Sequence, residues 1–154
     1  MYNQNKIILI ILTIAFFFSG ASALIYQVLW VKQLTLTFGS TTLAISTILA
    51  CFMSGLALGS YLMGKYAKII KRPVFIYALI EILIGIYALI LPILFVFTDD
   101  IYKYLWPLTG GTYFYIAIIR FLLVFLILII PTTLMGATLP LLVKYYINKD
   151  ELIV

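Results

Sequence analysis

The chain has 154 residues, 66% of them hydrophobic and only 10% charged, with a formal net charge of +5. Soluble domains carry roughly a quarter of their residues as charges, so this composition excludes a water-soluble domain and indicates an all-α integral membrane protein, with apolar length for roughly four crossings at about 20 residues each. The single cysteine, Cys51, and the lack of histidine exclude an intrachain disulfide, a thiolate metal site and the commonest general base, so neither a metal nor a cofactor is expected.

The first predicted span is 7–30, one long apolar run. Lys6, the apolar core and Ala21-Ser22-Ala23 also resemble a cleavable secretory signal, but the run continues unbroken to Trp30, which favours an uncleaved helix. Ser19, Ala23 and Gln27 recur at four-residue steps with Ser22 and Tyr26 beside them, and that side should face protein or water rather than lipid. A short connection is expected over 31–40, with Gly39 ending a helix or making a turn.

The second span, 41–63, is the most patterned. Thr47, Cys51, Gly55 and Gly59 lie four residues apart beside a second row of Ser46, Ala50 and Ser54, while Ile45, Ile48, Leu49, Phe52, Met53 and Leu56 take the other side. In lipid, bulky residues gain nothing by turning inward, whereas small ones let another backbone approach, so the small face is the expected contact face. A basic loop over 64–72 follows, with Lys65, Lys68, Lys71 and Arg72.

Pro73 suits a first helical turn, opening a third span over 73–97. Tyr77, Glu81 and Gly85 form another four-spaced stripe, continued by Ala88 and Pro92. The residues 98–111 read as a polar connection holding Asp99, Asp100 and Lys103, with Trp106 and tyrosines suited to an interface. The fourth span, 112–147, contains Arg120 and has no polar break, yet as one helix it would run about 54 Å, beyond a hydrocarbon core. Pro131 and Pro140 bracket PTTLMGATLP, where Thr and Gly136 can re-satisfy freed carbonyls and allow close packing. A single helix kinked at proline is expected over a hairpin of two short spans, because no turn residues divide the halves and a hairpin would put Lys144 and Lys149 on the other side. Placing the basic loop in the cytoplasm puts Lys6, Lys144 and Lys149 inside with it and leaves Lys32 and Lys103 outside, so both termini are expected to be cytoplasmic.

Glu81 and Arg120 are the only charges deep in predicted spans, each eight residues from its span's start. In a core of about 30 Å their backbones would then differ by about 6 Å in depth, so a pair is feasible. Such a pair could fix helix register, or the two groups could line a polar cavity with Ser19, Tyr26 and Gln27 and bind a charged solute or proton. Thr47, Cys51, Gly55, Gly59, Gly85 and Gly136 are the candidate packing residues. Most cations flank apolar runs without stacking aromatics, so no nucleic-acid partner is expected. No catalytic constellation is legible, so the chain is not expected to be an enzyme.

Several runs together, Gly20, Leu24 to Trp30, Phe38 to Thr42, Gly55 to Ser60 and Pro131 to Pro140, closely resemble the amino-terminal membrane region of the fused major-facilitator/spermidine-synthase proteins, over nearly the whole chain. More distantly, Gly64, Ala67, Lys71 and Arg72 are similar to the facilitator loop between helices two and three, and Arg120 to the arginine of its fourth helix. Lys68 departs from that loop, which usually carries an acidic residue there. The resemblance implies one domain of four spans, like the first four helices of a facilitator half, in a prokaryotic plasma membrane. The resemblance stops short of the remaining two helices of a facilitator half and of the aminopropyltransferase domain, so it does not imply spermidine synthesis. Two functions stand open: a transporter-like module for a small polar or charged solute, polyamine-related through the resemblance, working as a homo-oligomer or with a partner membrane chain; or a non-transporting anchor for a spermidine-synthase-like enzyme.

Overall fold

A computed structural model describes residues 2–105 and 113–150 as four long helices: α1 (Tyr2–Phe38), α2 (Thr41–Tyr66), α3 (Pro73–Leu105) and α4 (Tyr113–Asp150), with a 3-10 turn at Ala67–Ile69 between α2 and α3. Each helix contains a stretch long and apolar enough to cross a membrane, and the large aliphatic and aromatic residues exposed along them are the surface that lipid covers in such a protein. Pro73 is the first residue of α3, where its missing N–H costs nothing. Gly39 takes φ +66 and returns its N–H to the Thr35 carbonyl at 3.0 Å, closing α1 in the left-handed conformation that glycine adopts freely. Ser40 then caps α2, its side chain accepting from the Leu43 N–H.

The helices overrun the expected spans. α1 continues through the expected connection at 31–37, α2 runs to Tyr66, and α3 continues through the expected polar connection as far as Leu105. Asp100, expected in a solvated loop, is helical and pairs with Lys103 at 3.2 Å. The expected turn residues Gly110 and Gly111, and Trp106, lie outside the described residues.

α2 and α4 form the central seam, running parallel at a constant offset. Gly55 faces Thr132, Gly59 faces Thr133 and Ala137, and Gly136 faces the backbone of Leu56. A Cβ on Gly136 would fall 2.7 Å from Leu56 Cα, and one on Gly55 would fall 2.5 Å from Thr132 Cβ, so only glycine permits this approach. Thr47, Cys51, Gly55 and Gly59 are all buried, as expected. The second small row is not: Ser46 and Ala50 are exposed, and Ile48 and Phe52, assigned to the lipid side, are buried instead. The contact stripe is rotated because α1 also packs on α2, with Trp30 against Phe52. Gly85 is exposed, and a Cβ added there would meet nothing within 4 Å, so no described residue of the chain packs on it.

α4 is one helix through Pro131 and Pro140, about 57 Å long at 1.5 Å per residue, and the hairpin alternative is absent. Each proline lacks the N–H that would serve the carbonyl four residues earlier. The Ile127 carbonyl instead accepts from the Tyr87 hydroxyl of α3 at 2.8 Å, and the Gly136 carbonyl from the Ser60 hydroxyl of α2 at 2.9 Å. The threonines expected to do this serve other carbonyls: Thr132 donates to Leu128 at 2.7 Å and Thr138 to Met135 at 2.7 Å. Neighbouring helices therefore repair what each proline opens, and the repair ties α4 to both. Tyr145 is half-buried against the cluster around Leu141, while Tyr115 is exposed and the Tyr113 side chain lies outside the described residues.

Candidate functional site

α3 and α4 run antiparallel. Tyr77, Ile80 and Ile84 cluster with Ala137, Leu141 and Leu142, whereas Leu91 and Phe95 cluster with Val124 and Leu128. Glu81 therefore sits level with the 137–142 stretch of α4, and Arg120 lies beyond Val124 at the other end. At least 17 residues of α4 separate the two levels, about 25 Å of helix. The Glu81–Arg120 pair that the sequence made feasible does not form at that separation. Depth counted from each helix start holds only if helices begin at the edge of a core of about 30 Å, and α3 alone has 33 residues, about 50 Å.

Glu81 meets α1 instead. Ser19 Oγ donates to Glu81 Oε2 at 2.9 Å, joining residues 62 apart in sequence. The second oxygen, Oε1, is buried and has no hydrogen-bond partner among the described residues. One turn earlier on α3, the buried Tyr77 hydroxyl faces the same carboxylate without closing a well-formed hydrogen bond. Leu12 and Phe16 of α1, with Ile80 and Ile84 of α3, make the surroundings apolar. The site is thus a carboxylate about 12 Å along α3 from Pro73, oriented by one serine, with acceptor capacity left over in an apolar setting. A carboxylate so placed can accept hydrogen bonds from a cationic group.

The other cavity candidates do not join it. Tyr26 stacks on Trp30 with ring centroids 5.9 Å apart, and Gln27 is half-buried, both about 11 Å further along α1 than Ser19. Beside Ser19 a groove of about 840 Å³ opens between α1, α2 and α4, lined by Phe16, Gly20, Leu56, Met135 and Leu139 among others. Lys65, Lys68, Lys71 and Arg72 are exposed where α2 gives way to α3. Lys144 of α4 reaches the same connection and donates to the Ala67 and Ile70 carbonyls, the latter at 2.6 Å, which sets the end of α4 beside the basic loop as the charge pattern implied. Tyr77 was legible as part of the Glu81 stripe but not as a member of the site; its position four residues before the carboxylate was the available signal.

The four helices and their exposed apolar faces define a membrane protein of the helical-bundle class. No protein-family model, curated protein or solved structure matches the chain.

Proposed function

We propose that the chain is a transporter-like membrane module whose functional centre is Glu81, binding a proton or a small cationic solute of the polyamine class. The observation that carries this reading is the Glu81 carboxylate itself: one oxygen accepts from Ser19, and the other is buried near the Tyr77 hydroxyl with no hydrogen-bond partner among the described residues. A structural glutamate at that depth would have both oxygens satisfied, since burying an unpaired charge is costly. The facilitator-like resemblance supports the same reading, with both termini and the basic loop cytoplasmic, a plasma-membrane location and a bend of α4 at its prolines. The groove beside Ser19 is open to the side, so a closed pathway would need a second copy or a partner membrane chain. The module carries no catalytic role in this reading.

The test is spermidine binding to the protein in lipid nanodiscs by equilibrium dialysis. Glu81→Gln should lose binding while keeping its helical content, and Ser19→Ala should weaken it. Equal binding by wild type and Glu81→Gln would refute the proposal and leave the anchor reading, for which the clustered cations and Lys144 offer a docking end.

A further inference from the structure

A second groove, of about 920 Å³, lies where α2 turns towards α3 and is roofed by the end of α4. Lys68 and Lys71 from the connection and Lys144 from α4 line it, with no acidic residue among the lining groups. Lys68 and Lys71 are exposed and make no hydrogen bond or ion pair among the described residues. Lys144 is held in place by its bonds to the Ala67 and Ile70 carbonyls, which leaves one of its three N–H donors for a ligand. On α4, Leu139 and Val143 precede Lys144 and Ile147 follows it, 51%, 47% and 55% exposed. Exposed Val143 and Leu139 running back into the span from a cluster of three lysines complement an amphiphile with a negative head. Gly64 at the pocket wall has open space where a side chain would stand, leaving room for a head group.

We infer that this groove is a binding site for one anionic phospholipid, its phosphate held by Lys68, Lys71 and Lys144 and an acyl chain lying along Val143 and Leu139. The inference rests on membrane embedding and not on the Glu81 reading. A lysine near an anionic lipid surface contributes about 1 kcal/mol, so removing two lowers affinity about thirtyfold.

The experiment uses the full chain in phosphatidylcholine nanodiscs doped with phosphatidylglycerol, followed by native mass spectrometry and by titration with phosphatidylglycerol in detergent. Wild type should retain one phosphatidylglycerol in preference to phosphatidylcholine. Lys68→Gln/Lys71→Gln should bind about thirtyfold more weakly, and Gly64→Leu should also lose the lipid although its charge is unchanged. Lys65→Gln/Arg72→Gln, which removes the same charge outside the groove, should retain it. Equal loss in that control would overturn the inference in favour of diffuse surface attraction. Equal retention of phosphatidylcholine would overturn it too, as would displacement of the lipid by inorganic phosphate, which would mark a headgroup-only anion site. Circular dichroism on each variant separates loss of lipid from loss of fold.

Discussion

Ser60→Ala removes the hydroxyl that serves the Gly136 carbonyl, and nothing else of consequence. The bond is 2.9 Å long and crosses from α2 to α4. It exists because Pro140 has no N–H to offer the carbonyl four residues before it. Interhelical hydrogen bonds in membranes contribute about 0.6 kcal/mol on average and up to about 1.7. This one should lie towards the upper end, because its loss leaves a half-buried carbonyl with no water and no helical donor. Ser60→Ala should therefore cost about 1.5 kcal/mol in the wild-type background. In a Pro140→Ala background the new N–H serves Gly136 within the helix, and Ser60→Ala should become nearly neutral. The coupling of about 1.5 kcal/mol is roughly a tenfold change in the unfolding equilibrium constant, measurable by steric trapping in bicelles. Any packing cost of Pro140→Ala appears on both edges of the cycle and cancels. An equal cost of Ser60→Ala in both backgrounds would refute the proline-repair role.

Tyr87→Phe should behave likewise towards Pro131→Ala, with a coupling of about 1 kcal/mol, since Tyr87 serves the Ile127 carbonyl. Gly59→Ala should destabilise by about 3 kcal/mol, because its Cβ would run into the Thr133 carbonyl and to 2.9 Å from Ala137 N, backbone that cannot swing away. Gly85→Ala, by contrast, should be neutral or stabilise by up to about 1 kcal/mol, as its surroundings are open; the same bicelle assay reads both. Lys144→Met should loosen the connection after α2 by freeing the Ala67 and Ile70 carbonyls, and trypsin should then cleave after Lys68 and Lys71 several times faster.

The fold was legible wherever a residue's meaning depends on its own helix. Pro73 suits the first turn of α3, Gly39 suits a helix end or a turn, and small residues at Thr47, Cys51, Gly55 and Gly59 mark a contact face whatever the partner is. Lys144 and the basic loop meet at one end because topology groups cations there. What depended on a neighbour was harder to read. The rotation of the α2 face follows from α1 lying against Phe52, and the groups that repair Pro131 and Pro140 come from Tyr87 and Ser60, which carry no sign in sequence of which carbonyl they will meet. Gly85 has the same spacing as a packing glycine and none of the contacts, since four-residue periodicity records a face without saying whether a helix covers it. For the site, Glu81 stood out as a charge in an apolar run and Ser19 as part of a polar side. Arg120 was misplaced because depth was counted from span starts, and helices of 33 and 38 residues overshoot the slab that the count assumed.

Everything proposed for function depends on Glu81 being an accessible membrane carboxylate that binds a cationic solute. Dicyclohexylcarbodiimide labelling of the intact protein in nanodiscs, read by peptide mass spectrometry at Glu81 with and without spermidine, probes this without an intermediary. Glu81 should be modified and spermidine should protect it, with labelling absent in Glu81→Gln. Labelling that spermidine leaves unchanged, or a wild-type Glu81 that the apolar reagent never reaches, would contradict the proposal.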